Sequence, residues 1–194
     1  EVESLETDRR LQILNAATKS FAQYGYKATT MDLIAKMANV GKGTIYNFFR
    51  NKEELFHEII ARLIDEMEQV AEASMDPEAS FYANLHSALF SILEFRKTHQ
   101  LTLKLFEEQK EMGTPAVNDM VEKIEERIID YLKGMLERAI QAGKIKPCNP
   151  ELTAFIMFKL YVAIIFDWEK HHDSLSKEEI AEAFELYLLK GLQN

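Results

Sequence analysis

Between Thr29 and Lys52 the chain reads T-T-M-D-L-I-A-K-M-A-N-V-G-K-G-T-I-Y-N-F-F-R-N-K, and its apolar residues keep a helical period twice with a break between. Met31, Ile34, Ala35 and Ala38 fall at i, i+3, i+4 and i+7, which is one face of a short helix. Thr29 or Thr30 can cap it, because a threonine oxygen accepts a hydrogen bond from an otherwise unpaired amide of the first turn. Asn39-Val40-Gly41 then interrupts: Asn and Gly enter turn conformations readily, and the valine between them can plug into a small core. From Lys42 to Phe49 the pattern resumes, with Ile45 and either Phe48 or Phe49 inward and Lys42, Thr44, Tyr46 and Asn47 outward. The spacing predicts a helix-turn-helix whose second helix shows hydrogen-bonding side chains to the outside.

A helix upstream supplies the support for this pair. The apolar face of Leu14, Ala17, Phe21 and Tyr24 predicts a helix from about Asp8 to Tyr24, and Gly25 offers the left-handed stop expected just past a helix end. The three helices would share a small core of Leu14, Ala17, Phe21, Ile34, Ala35, Val40, Ile45 and Phe49.

Downstream the chain continues as helices. Asn51 can cap a long fourth helix to about Ser74, with Glu54 reaching back to the cap amide. Asp76-Pro77 is expected to open a fifth, since proline is tolerated in a first helical turn. A sixth spans about Gln100 to Glu111, and a seventh runs from Pro115 to Ala142 and stops at Gly143. Asn149-Pro150 starts an eighth that is apolar on nearly all sides to Trp168, and Ser176 with Glu179 forms a capping box for a ninth. Four prolines and seven glycines in 194 residues suit this count. The fold class expected is all-α: a three-helix helix-turn-helix domain over residues 1–50 and a bundle of about six helices over 51–194.

A net charge of −9 would argue against nucleic acid if it were evenly spread, and it is not. Residues 9–52 hold eight basic side chains (Arg9, Arg10, Lys19, Lys27, Lys36, Lys42, Arg50, Lys52) against one acid, Asp32. The surplus of acid lies in residues 1–8 and 53–194. A basic module on an acidic remainder is the asymmetry expected when one part meets phosphates and the other does not.

On these residues the chain resembles the TetR/AcrR family of bacterial transcriptional regulators. The resemblance rests on Gly25-Tyr26, Thr29-Thr30, Ile34-Ala35, Val40 and above all K-G-T-I-Y-N-F-F-R-N-K-E-E-L-F at 42–56. Beyond residue 60 it is architectural. Two positions depart from the family's usual turn: Asn39 where glycine is common, and Gly41 where a serine cap is common. The resemblance implies double-stranded DNA as partner, a homodimer, a small-molecule effector, and no cofactor. It implies DNA contacts at Thr29, Thr30, Lys42, Gly43, Thr44, Tyr46, Asn47 and Lys52. Tyr46 and Lys52 would hold the backbone, while Lys42, Thr44 and Asn47 approach bases.

The aromatic density of the downstream helices suits an apolar effector, with Phe90, Phe106, Phe155, Phe158, Tyr161 and Trp168 as candidate lining. The same stripes also read as plain core. Glu107, Glu108, Asp167 and Glu169 could counter a cationic ligand or serve as solvated or interhelical charges. The apolar surplus on the eighth helix calls for a partner, expected to be the eighth and ninth helices of a second copy.

Other chemistries fit poorly. Glu54-x-x-His57 and Glu169-x-x-His172 have the spacing of di-iron carboxylate bundles, but Glu54 already serves a cap and two further inward glutamates would be needed. No nucleophile elbow, P-loop or dinucleotide fingerprint is present, and Cys148 stands alone in a proline-flanked linker, so neither catalysis nor a metal is expected. The run Ala154 to Trp168 is too short for a membrane span, the N-terminus lacks a secretory pattern, and a single cysteine fits a reducing cytoplasm. The alternative to a regulator is a helical ligand-binding or scaffold protein carrying a vestigial DNA-binding head.

Overall fold

The structure is a computed structural model. It describes the backbone of residues 2–98 and 100–192, and the side chains from residue 8 onward except 93, 96–100, 102, 103, 106, 110, 166, 193 and 194. The elements of the described residues are helices joined by short turns: α1 Val2–Ala28, α2 Met31–Met37, α3 Lys42–Phe48, α4 Lys52–Ala73, α5 Phe81–Thr98, α6 Gln100–Glu111, α7 Pro115–Gln141, α8 Pro150–Val162 and α9 Lys177–Phe184. The architecture is all-α, an N-terminal three-helix bundle followed by a bundle of about six helices.

Two compact units divide the chain. One comprises residues 1–66 and 96–123; the other comprises 67–95 and 124–194. In the first, Ile13, Leu14, Ala17, Phe21, Ile34, Ala35, Ile45 and Phe49 are buried, so the apolar stripes read from sequence do converge. Phe49 takes the inward place and Phe48 stays half-buried, while Tyr24 faces solvent. Leu55, Phe56, Ile59 and Ile60 of α4 are buried in the same unit, as are Leu101 and Leu105 of α6, which packs on α1.

Local chemistry sets the breaks. Gly25 has φ 82 and ψ 171, a conformation unfavourable for a residue with a Cβ, and interrupts helical geometry within α1. Thr30 is the cap of α2, its hydroxyl accepting from Leu33 N–H at 3.1 Å. Asn39 takes the left-handed conformation at φ 52 that the turn requires, which is why asparagine serves where glycine is common. Gly41 caps α3 through its backbone alone, its carbonyl accepting from Thr44 N–H at 2.9 Å.

In the second unit, Phe81, Leu85, Met135, Leu136, Ala139, Ile145, Ala154, Met157 and Leu189 form one core cluster, and Ile165, Ile180 and Phe184 a smaller one. Asp76-Pro77 does not open α5. The Asp76 carboxylate accepts from Glu78 N–H two residues on, making a local turn, and the helix starts at Phe81 with the Ser80 hydroxyl accepting from Ala83 N–H. The long apolar run after Pro150 is α-helical to Val162 and then widens into a π-helical turn at Ala163–Asp167; a second π-helical turn, Glu185–Leu189, follows α9. The capping box of α9 is present, with Ser176 and Glu179 each accepting the other's backbone N–H.

Candidate nucleic-acid interface

The outer face of α3 is built by what its inner face buries. Ile45 is 0% exposed and Phe49 is buried just past the helix end. With those two fixed, the 100° step per residue turns Lys42, Gly43, Tyr46 and Asn47 outward and leaves Thr44 half-buried. Tyr46 is 44% exposed.

The basic residues counted in the sequence divide into two groups. Arg9, Lys19, Lys27 and Lys36 are exposed. The others have internal partners: Arg10 pairs with Glu58 of α4 and lies over the Phe49 ring at 4.9 Å, and Arg50 sits 3.4 Å from Glu54. Lys42 Nζ lies 2.9 Å from Asp32, whose hydrogen bond and charge raise the lysine pKa.

Lys52 is half-buried at the start of α4. Its ammonium donates to the Tyr26 carbonyl at 2.8 Å and lies 4.1 Å from the centre of the Tyr26 ring. Burial lowers its pKa, opposed by the charge of Glu108. Tyr26 in turn packs on Phe56 at 4.6 Å and Phe21 at 5.7 Å, and burial raises its phenol pKa.

The paired threonines separate. Thr30 is exposed at the head of α2, whereas Thr29 is fully buried, its hydroxyl donating to the Gly25 carbonyl at 2.8 Å and lying 2.9 Å from the Ser20 hydroxyl. The structure thus gathers Thr30, Lys42, Gly43, Tyr46 and Asn47 on an accessible surface, with Thr44 at its margin. Thr29 and Lys52 lie inward of it.

These polar groups, carried on a helix locked by Ile45, match a known pattern. The description "Bacterial regulatory proteins, tetR family" fits residues 13–59. The uncharacterized HTH-type transcriptional regulator YhgD of Bacillus subtilis is 61% identical over 188 residues, covering 97% of this chain and 98% of that protein. The chain belongs to the TetR family. TetR-family proteins are DNA-binding transcriptional regulators rather than enzymes. The fatty acid metabolism regulator protein of B. subtilis is 26% identical over 95% of both chains. The solved structure of the fatty acid degradation regulator FadR from Bacillus halodurans shares the fold, with a TM-score of 0.70, 18% identity, and coverage of 93% of this chain and 96% of that one.

The aromatic residues expected to line an effector site have different settings. Phe158 is buried, Phe90 and Tyr161 are half-buried, and Phe155 and Trp168 stand 44% and 42% exposed in the single chain. Phe106 lies outside the described side chains. Trp168 stacks on His172 with ring centres 3.8 Å apart, and its indole N–H donates to the Asp173 carbonyl at 3.2 Å.

Sequence reading passed over two tyrosines. Tyr82 and Tyr131 pack against the main core cluster with buried hydroxyls that have no hydrogen-bond partner among the described residues, and burial raises the pKa of both. The signal available in the sequence was a polar-tipped aromatic at an inward position of α5 and of α7. Among the described residues no group of three or more His, Cys, Asp or Glu could hold a metal. Glu54, half of one Glu-x-x-His pair, accepts from the Arg50 amide, one residue before the expected Asn51. Among the described residues no helix is long and apolar enough to cross a membrane.

Proposed function

We propose that residues 1–50 read double-stranded DNA through Thr30, Lys42, Gly43, Thr44, Tyr46 and Asn47, with Thr29 and Lys52 shaping the same surface from within. The observation that carries this reading is the fixed outward display of Lys42, Tyr46 and Asn47 on a helix whose Ile45 is wholly buried. Charged and amide groups on a short helix suit phosphate oxygens and base edges in a major groove. The chain acts in the cytoplasm, where its DNA is.

Residues 51–194 bind an effector and a second copy. Supporting the second copy is the outward apolar stripe of α8, Leu152, Phe155 and Ile156, together with Leu186 and the 75% exposed Tyr187 beyond α9. Two copies pairing these helices would bring two reading heads to a palindromic site. The chain then works as a homodimeric repressor, released from its operator when a small, largely apolar effector favours the unbound state. The buried Phe158 and half-buried Phe90 and Tyr161 suit that class of effector, and relatives named for fatty acid metabolism and degradation support it. Tyr82 and Tyr131 are the groups that would meet its polar end.

Selection of duplexes from a random-sequence pool by the full chain tests the reading. Enrichment of a two-fold symmetric sequence supports it. Failure to retain any duplex at low salt would leave a helical scaffold with a vestigial head.

A further inference from the structure

Glu108 is the one charged side chain among the buried described residues, and nothing in the DNA surface uses it. It continues the inward stripe of α6 after Leu101 and Leu105, at a position where helical spacing calls for an apolar residue. A carboxylate removed from water is unfavourable unless hydrogen bonds and opposite charge replace its hydration. Both are present. Oε2 accepts from Tyr26 N–H at 2.5 Å and Oε1 from Lys27 N–H at 2.9 Å.

These two amides are available because Gly25 breaks the helix just before them. Gly25 also leaves the space: a Cβ there would stand 2.6 Å from Glu108 Oε2. The other polar groups of the turn are held as well. Thr29 Oγ1 donates to the Gly25 carbonyl, and Lys52 Nζ donates to the Tyr26 carbonyl. Every one of these bonds constrains the three residues that lead into Thr29 and the cap of α2.

We propose that Glu108 is a positioning residue for DNA recognition: from α6 it fixes the turn after Gly25, and so the orientation in which α2 and α3 are presented. The inference rests on the head being a DNA reader. Two converging N–H donors require two acceptor oxygens, so a carboxylate fits and a carboxamide does not. Glu108→Gln keeps the size but turns an NH2 toward a backbone N–H, leaving one amide unpaired. The number of basic groups reaching phosphate is unchanged by that substitution. What changes is their alignment.

The test uses the full chain. Hydrogen exchange is followed at Tyr26 and Lys27, and affinity is measured for a duplex that the wild type enriches from a random pool and for an unselected duplex. In Glu108→Gln, exchange at whichever of the two amides loses its acceptor should accelerate at least tenfold and affinity for the enriched duplex should fall at least tenfold. Binding to the unselected duplex, and its salt slope, should stay within twofold, because that binding counts phosphate contacts. Glu108→Asp keeps the charge but shortens the reach, and should give a smaller loss of the same kind, which serves if the glutamine variant does not fold.

Equal loss on both duplexes, or a lowered melting temperature with specific affinity intact, assigns Glu108 to folding alone and overturns the proposal. Wild-type exchange and wild-type affinity in the variant overturn it too. If the wild type enriches no duplex, the DNA reading fails and this inference fails with it; if it does and Glu108→Gln enriches the same sequence equally well, only this inference fails.

Discussion

Lys42 Nζ lies 2.9 Å from the carboxylate of Asp32, so the first basic side chain of α3 is paired with the acid in the first turn of α2. Both residues are exposed, and the pair lies on the surface proposed to meet DNA. Asp32 therefore restrains the lysine that is proposed to engage DNA.

Asp32→Asn removes a negative charge from that surface and releases Lys42. Binding to any duplex should tighten. If Lys42 then makes one more phosphate contact, the slope of log affinity against log salt should steepen by about 0.9. Fluorescence anisotropy across a salt series reads both, and an unchanged slope with unchanged affinity would place Lys42 away from the backbone.

Tyr46 is held outward by the burial of Ile45 and offers a hydroxyl and a ring face. Tyr46→Ala should weaken binding to selected and unselected duplexes alike, by about 1.5–3 kcal/mol on the scale of a hydrogen bond to a charged group. Tyr46→Phe separates the two contributions: a loss as large as that of alanine assigns the effect to the hydroxyl. The melting temperature should not move, because the side chain is not in the core.

Much of this head was legible because its signals are local. Thr30, Asn39, Gly41 and Gly25 act on their neighbours in sequence, and the periods of Met31 to Ala38 and Lys42 to Phe49 are short enough to fix which side faces in. What escaped depends on partners distant in sequence. Glu108 meets Tyr26 and Lys27 from 82 and 81 residues away, and Arg10 meets Glu58 across 48. In neither case does spacing reveal that a charge will be buried or paired. Asp76-Pro77 misled for a different reason: the aspartate has two local options, a helix cap or a turn of its own, and Ser80 is the cap used four residues on.

The apolar residues left at the surface around α8 and α9 give a third expectation. Tyr187 is the most exposed large apolar side chain in that set, and Phe155 lies on the outward stripe of α8. Tyr187→Glu or Phe155→Glu should raise the dimer dissociation constant about thirtyfold or more, the range of a buried aromatic anchor of about 2 kcal/mol. Sedimentation measures it. A wild-type chain that sediments as a monomer at micromolar concentration would remove the basis of a two-headed reader.

Acid should weaken the start of α9. Hydrogen bonds from the Ser176 backbone hold the Glu179 carboxyl below its ordinary value of 4.5. Its folded value is the depressed one, so the contribution is complete above the unfolded value and disappears as pH falls through the folded value. Ser176→Ala should lose about 1 kcal/mol of stability at neutral pH as the cap is removed. The bond to Glu179 comes from the Ser176 backbone and survives in that variant, so it is in Glu179→Gln that the deficit relative to wild type should shrink as pH falls through the depressed folded value. Thermal melts at pH 7 and pH 3.5 show whether it does.

Thr29 and Thr30 stand next to each other and should fail differently. Thr30→Ala removes a side-chain cap from a seven-residue helix and exposes Leu33 N–H, at a cost of about 1 kcal/mol. Its loss on DNA should include any contact its exposed hydroxyl makes. Thr29→Val keeps the shape but deletes a hydroxyl that bonds both Ser20 and the Gly25 carbonyl inside a fully buried pocket. Two buried polar groups then lose a partner, which should cost about 1–3 kcal/mol in unfolding by denaturant. Because no charge changes and the side chain never reaches the surface, the salt slope of DNA binding in Thr29→Val should equal that of wild type. A flattened slope would mean that Thr29 supports a phosphate contact through the turn it closes, and would tie it to the same device as Glu108.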